Sequence, residues 1–283
     1  MKRILLAGKC LAMVAMLTCC TSNKPNKPKY IDRGDYRVDS AISSRNQNER
    51  VRFLVMHYTA VNDAESLKLL TTGAGSAHYL VPGLPDASDG KPVVLQLVPE
   101  DKRAWHAGVS QWNGRGNLND TSIGIEIVNT GFTEDETGKT WYDFHPRQIE
   151  LVARLAKDVI RRYQISPDNV VAHSDIAPQR KYDPGPLFPW AQLAQRGVGA
   201  WPDKTTVDKY LAGRAPDSPV PVAPLQAALA AYGYTIPQTG QPDEETVRTI
   251  GAFQMHYRPA DYRGAADAET EAIALALVEK YRG

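Results

Sequence analysis

The residues of this chain best suited to chemistry lie in one short segment, Ala172-His173-Ser174-Asp175-Ile176-Ala177-Pro178-Gln179-Arg180-Lys181-Tyr182-Asp183-Pro184-Gly185-Pro186. It brings an imidazole, an ammonium and a carboxylate into a loop stiffened by three prolines. A second histidine, His57, ends an apolar run far upstream. Two imidazoles and one carboxylate match the ligand set of a catalytic zinc, with three protein ligands and an open fourth position for water. Either histidine alone is as well read as a hydrogen-bonded residue on a cleft rim. Their joint occurrence with Asp183 in a rigid loop favours the metal, because ligand positions must hold within fractions of an ångström.

Glu126 lies inside Ile123-Gly124-Ile125-Glu126-Ile127-Val128. Burying a carboxylate there is costly without a partner or a task. It reads either as a salt-bridged core carboxylate or as a general base for a metal-activated water. Burial and a nearby cation push its pKa in opposite directions, and sequence leaves the winner open. Lys181, two residues before Asp183, reads either as a solvated loop lysine or as a cation aimed at a developing oxyanion. His106, in Trp105-His106-Ala107-Gly108, is expected to line the cleft, and Trp105 and His78 are further cleft candidates. His145 and His256 read as surface residues.

These side chains need a frame. Residues 51–56 read as a buried strand with His57 at its end, and residues 77–81, 93–98 and 123–128 as further strands. A turn-rich loop from Gly83 to Gly90 separates two of them. Pro146 suits the first turn of a helix on which Ile149, Val152, Ala153, Ala156, Val159, Ile160 and Tyr163 recur at helical spacing. Pro167 marks its exit, and residues 170–172 form a short strand leading to His173. Strands interleaved with helices predict an α/β domain, here over 36–213. Pro216, Pro219 and Pro221 predict a linker over 214–224. Three short helical patterns follow over 225–283. Leu225, Leu229 and Tyr232 precede Gly233; Val247, Ile250 and Phe253 form the second; Ile273, Leu277 and Tyr281 follow an Asp267 cap.

Residues 1–20 read as a processed leader. Lys2 and Arg3 give a positive start, and the apolar run from Cys10 to Leu17 is shorter than a membrane span. Leu17-Thr18-Cys19-Cys20 resembles a lipobox, which implies lipidation of Cys20 and anchoring in a membrane; an ordinary secretory signal is the alternative. In the Gram-negative lipoproteins that this leader resembles, an Asp at the place of Thr21 would favour the inner membrane, so the resemblance implies the outer membrane, facing the periplasm. Residues 21–35, with Lys24, Pro25, Lys27, Pro28 and Lys29, predict a flexible tether. All three cysteines fall in the leader, so a metal site beyond it rests on His, Asp, Glu and water. The net charge of +1 and the lack of a basic stripe argue against nucleic acid. A monomer is the simplest expectation.

Five motifs occur in order: His57-Tyr58-Thr59-Ala60, Ser76-Ala77-His78-Tyr79-Leu80-Val81, Trp105-His106-Ala107-Gly108, Asn119-Asp120-Thr121-Ser122-Ile123-Gly124-Ile125-Glu126, and Val171-Ala172-His173 through Asp183-Pro184-Gly185. Together they closely resemble the amidase-2 type N-acetylmuramoyl-L-alanine amidases, and within them the zinc-dependent outer-membrane lipoprotein amidases of Gram-negative bacteria. The resemblance implies a central mixed β-sheet flanked by helices, as in peptidoglycan recognition proteins, with a small C-terminal three-helix domain. It implies one Zn2+ per chain on His57, His173 and Asp183, with Glu126 as acid/base and Lys181 as oxyanion stabiliser. The implied substrate is peptidoglycan or muropeptides, cut between N-acetylmuramic acid and L-alanine to release stem peptides. Leu225-Gln226, Gly233-Tyr234, Phe253-Gln254 and Asp267 to Thr270 make the tail similar to a peptidoglycan-binding domain. The tail lacks that domain's usual Asp-Gly-x-Phe-Gly turn, so packing against the catalytic domain is the alternative to glycan binding. A non-catalytic recognition lipoprotein would share the fold. A muramidase would need paired carboxylates and no metal ligands.

Overall fold

The structure is a computed structural model describing residues 29–283. The leader with Cys20, and the tether up to residue 28, lie outside the described residues. The chain divides into two units, 1–48 and 49–283. In the first, Tyr30–Asp32 and Arg37–Asp39 pair as an exposed antiparallel ribbon. The second unit begins at Glu49 and contains every candidate ligand, catalytic and cleft residue.

The second unit runs β1 (Phe53–Tyr58), α1 (Asp63–Thr72), β2 (Tyr79–Val81), β3 (Leu95–Gln96), β4 (Ser122–Ile127), α2 (Pro146–Tyr163), β5 (Val170–Ala172), α3 (His173–Ile176), α4 (Trp190–Gln195) and α5 (Lys204–Leu211). The tail adds α6 (Val222–Tyr232), α7 (Glu244–Tyr257) and α8 (Ala268–Arg282). The sheet order is β5-β1-β4-β2-β3. The first four strands are parallel and β3 is antiparallel to β2, which makes the sheet mixed, as expected. The strand expected over 93–98 shrinks to two residues at the sheet edge, because Val93 N–H turns aside to Asp86 O at 2.9 Å.

Alternation along the strands sorts side chains onto two faces. Leu54 and Met56 of β1, and Ile123, Ile125 and Ile127 of β4, pack with Ile149, Val152, Ala156 and Val159 of α2. The opposite face takes Phe53 and Val55, then His57; on β4 it takes Ser122, Gly124 and Glu126. The carboxylate in the apolar run thus breaks no pattern. It is the out-of-phase member of a two-residue period.

The tail covers this second face. Phe53, Val55, Trp112 and Val171 share one core with Leu229, Tyr232, Phe253 and Leu277. Trp112 is fully buried, with its ring edge on Tyr232 and Tyr234 at centroid distances of 5.8 and 4.9 Å. The proline-rich segment is no free linker. Val220 N–H bonds Ala266 O, and Ala268 N–H bonds Ser218 O, so it pairs with the chain entering α8. The caps expected at Gly233 and Asp267 form: Gly233 N–H bonds Leu229 O, and Asp267 Oδ1 accepts Thr270 N–H at 2.9 Å. The motif glutamines act as internal clasps. Gln226 holds Thr246 Oγ1 and Gly240 N–H, while Gln254 holds Thr270 Oγ1 and Gly264 N–H.

Candidate metal centre and catalytic cleft

Register places the chemistry. Ala172 pairs with Met56, so the next residue, His173, comes level with His57; His57 in turn pairs with Glu126. Three functional groups therefore stand in one row at the carboxyl ends of three adjacent parallel strands. Neighbouring strands are about 4.8 Å apart. Asp183 reaches the row from the loop after α3, whose backbone is tied to it by Ser174 N–H bonding Asp183 O at 2.9 Å.

His57 Nδ1 lies 2.9 Å from His173 Nδ1 and 3.0 Å from Asp183 Oδ2, and His173 Nδ1 lies 3.0 Å from the same oxygen. All three residues are buried. This donor triangle is close to the face of a tetrahedron around a zinc-sized ion, whose edge is about 3.3 Å for bonds of 2.0–2.1 Å.

Hydrogen bonds behind the ligands decide where the imidazole protons sit. Ser122 Oγ donates to Leu118 O at 2.6 Å, so it accepts from His106 Nε2–H at 3.0 Å. His106 Nδ1 is then an acceptor, and His57 Nε2–H donates to it at 3.0 Å. His173 Nε2–H donates to Ala107 O at 3.2 Å. Bonding at the far nitrogens consequently turns the Nδ1 atoms of both rings toward each other and toward a carboxylate. Three electron-pair donors at 3 Å repel unless positive charge lies between them. An extra proton on one imidazole is a partial remedy; a divalent cation satisfies all three.

The electrostatics point to the same need for positive charge inside the triangle. Burial, followed by the neighbouring His173, pushes His57 down to about 4. Burial also dominates at His106, which His57 and His78 help hold well below the usual histidine range. Burial alone would raise the Asp183 carboxyl, but His173 and His57 outweigh it and hold the group well below the usual carboxylate range. A neutral imidazole and an anionic carboxylate are the forms that bind metal.

An open cleft of about 520 Å³ lies over the triad, lined by Tyr58, Trp105, His106, Glu126, Lys181 and Asp183 among others. Glu126 is half-buried and its Oε2 has no hydrogen-bond partner. It is not a salt-bridged core carboxylate. Burial raises its pKa well above the usual value, Asp183 adds to the rise, and Lys181 opposes it. The contest left open by sequence is won by burial. Trp105 is exposed on the cleft wall, under the Arg103 guanidinium at 3.9 Å from the ring centroid.

Two placements differ from expectation. His78 does not line the cleft. It lies beneath the sheet end, with Nδ1 accepting Gly124 N–H at 3.0 Å and Nε2–H donating to Lys102 O at 3.2 Å, which makes it a backbone bridge. His256 is buried rather than on the surface, because the tail folds onto the catalytic sheet. His145 is exposed, as expected, and caps α2 through Arg147 N–H.

Sequence reasoning missed the pairing of His106 with His57, and it missed Gly124. A methyl at Gly124 would sit 2.4 Å from His106 Cγ, so the ring lies directly on the strand. A lone glycine inside a strand is the available signal for such an approach. Arg180 was also missed. It bonds Ala107 O and Val109 O, and it leaves no room for a side chain at Gly108, where φ is +57°.

Residues 47–186 match the family model described as N-acetylmuramoyl-L-alanine amidase, and residues 219–273 match one for a peptidoglycan binding domain. The chain is 51% identical over 271 residues to N-acetylmuramoyl-L-alanine amidase AmiD of Escherichia coli K12, covering 96% of each protein. The solved complex of E. coli AmiD with the substrate anhydro-N-acetylmuramic acid-L-Ala-D-gamma-Glu-L-Lys superposes with a TM-score of 0.85 at 53% identity, over 89% of this chain and 98% of that one. AmpDh3 from Pseudomonas aeruginosa gives a TM-score of 0.77 at 47% identity, over 89% and 99%.

Proposed function

Because the chain belongs to the N-acetylmuramoyl-L-alanine amidase family, we propose that it hydrolyses the amide between N-acetylmuramic acid and L-alanine in muropeptides, including those with the anhydro sugar. One observation carries this reading: two imidazole nitrogens and a carboxylate converge beside an unpartnered carboxylate, Glu126, on an open cleft. His57, His173 and Asp183 would hold one divalent ion, and the all N/O donor set suits zinc. When bound, such an ion supplies a Lewis acid that polarises the carbonyl and acidifies water.

The chain's own residues do the rest. Glu126, as the anion, takes a proton from the attacking water as its oxygen bonds to the lactyl carbonyl carbon. Its raised pKa makes it a stronger base than an ordinary carboxylate, and the same burial favours the protonated form that then serves as the acid. The same proton passes to the amide nitrogen. The C–N bond breaks, leaving a carboxyl on the sugar's lactyl group and an amine on L-alanine, and the carboxyl's remaining proton passes to that amine, giving carboxylate and ammonium. The Lys181 ammonium, on the same cleft, opposes the negative charge that gathers on the carbonyl oxygen. The Ser122–His106–His57 chain fixes which nitrogen of His57 stays unprotonated.

A recognition-only protein needs no unpaired carboxylate at the row of ligands, so Glu126 speaks for catalysis. The test is mass spectrometry of products from purified muropeptides. We expect peptides beginning with free L-alanine, loss of that release on chelation, and recovery with zinc. New reducing sugar ends, or release that persists in metal-stripped protein, would overturn the reading. The lipobox-like leader supports a further part of the proposal: Cys20 carries lipid and holds the protein in the outer membrane facing the periplasm. Labelled palmitate should enter the wild-type chain and not Cys20→Ser.

A further inference from the structure

Asp175 lies two residues after His173 on the single turn of α3 and is 1% exposed. Both of its oxygens are engaged. Oδ1 accepts the Tyr234 hydroxyl at 2.5 Å. Oδ2 accepts His256 Nδ1–H at 2.7 Å and the Ala172 amide at 2.7 Å. The carboxylate therefore grips the backbone one residue before His173 and is itself held two residues after it. Two of its three donors come from the tail: Tyr234 follows α6, and His256 lies on α7. The His256 ring is fixed in turn between Trp190 and Tyr257, at centroid distances of 3.9 and 4.0 Å and angles of 19° and 4°.

The same turn also governs Asp183, through the Ser174 N–H bond to Asp183 O. Two of the three triad residues thus take their position from α3, and α3 takes its position from the tail. A carboxylate buried this deeply demands its full set of donors. Losing one lets the turn seek another arrangement. Ligand atoms tolerate errors of only about 0.5 Å.

We propose that Tyr234 and His256 are positioning residues of the metal centre, acting through Asp175, so that the tail helices set the metal affinity of the catalytic domain. This rests on reading His57, His173 and Asp183 as a metal site. The rival is a plain interdomain clamp, which would support the fold and leave the metal untouched. The two differ in what they move.

The experiment titrates the full-length chain with Co2+, following the d–d band, and measures the melting temperature of each metal-free variant. Tyr234→Phe and His256→Phe keep the rings and remove one donor each. His256→Asn loses the ring but keeps an N–H donor near the place of Nδ1. We expect the two Phe variants to bind Co2+ roughly 10–100-fold more weakly, with an altered band. His256→Asn should recover most of that affinity while melting earlier than His256→Phe. Wild-type Co2+ affinity in both Phe variants, whatever their melting temperatures, overturns the proposal. So does a His256→Asn variant that binds as poorly as His256→Phe, since ring packing would then be the cause. A wild-type chain that binds no Co2+ instead overturns the metal reading itself.

Discussion

Gly124→Ala is the smallest change that tests how the site is built. The added methyl would lie 2.4, 2.6 and 2.6 Å from Cγ, Cδ2 and Nδ1 of His106. Ordinary carbon contacts need about 3.5–4.0 Å, so the ring must retreat by about 1 Å or more. It is pinned by 3.0 Å bonds to His57 Nε2 and Ser122 Oγ. A retreat of that size carries at least one bond past about 3.5 Å, where it no longer counts. Overpacking of this kind costs about 1–3 kcal/mol of stability. Loss of the partner behind a ligating histidine weakens metal binding by about 10–100-fold, or about 1.4–2.8 kcal/mol. Zinc affinity would be measured by competition with a chromophoric chelator, and stability by melting the metal-free chain. The control is His106→Ala, which makes room for the methyl. In that background Gly124→Ala should cost little, giving a coupling of about 0.5–3 kcal/mol. Equal costs in both backgrounds would refute the reasoning, because the clash with His106 would not be the cause.

Glu126→Gln should keep its metal and lose about 10²–10⁴-fold in turnover; near-normal turnover with metal bound would make Glu126 a structural carboxylate. Lys181→Met should lower turnover by about 10²–10³-fold. It should also move the acidic limb of the pH–rate profile upward. The Lys181 charge lowers the Glu126 pKa, its removal raises it, and the base works only when ionised. A limb that stays in place would separate Lys181 from Glu126. A chain ending at Ala215 should fail to fold, because it strips Trp112, Val55 and Val171 of their tail partners and breaks the Arg282–Asp168 ion pair. A soluble truncated chain with an unchanged melting temperature would refute that.

What the sequence made legible follows from the range of the interactions involved. The period of two in β4 and the 3.6-residue period in α2 are local, so both elements were readable, and so were the caps at Gly233 and Asp267. His57, His173 and Asp183 were readable as a set because a metal demands those donor types whatever the fold. The pairings were not readable. His106 is 49 residues from His57 and 16 from Ser122, and nothing in their spacing says that they meet. His256 read as a surface residue because the apolar stripe of α7 reveals burial without naming the partner. The proline-rich segment read as a linker because prolines exclude helix and central strand. They do not exclude an edge that bonds through the residues between them, as Ser218 and Val220 do.

The triad combines two kinds of support with different stiffness. His57 is fixed by strand register, where a one-residue slip would turn Phe53 and Val55 out of one core and Leu54 and Met56 out of the other; His173, one residue past β5, shares that register and depends on α3 as well. Nothing short of unfolding shifts the strands themselves past one another. Asp183 has no strand beneath it. Its backbone is held by one amide of α3, and its carboxylate by the two imidazoles it faces. These few bonds are weaker support than a strand ladder, so this loop is the most easily displaced part of the triad. Variation in metal affinity should therefore concentrate on groups that hold α3 and its loop: Asp175, Tyr234 and His256 on one side and Arg180 on the other. Substitutions in the apolar face under α2 should instead change stability and leave the affinity of the folded chain nearly constant. The structure thus separates two sets of positions by what each can alter.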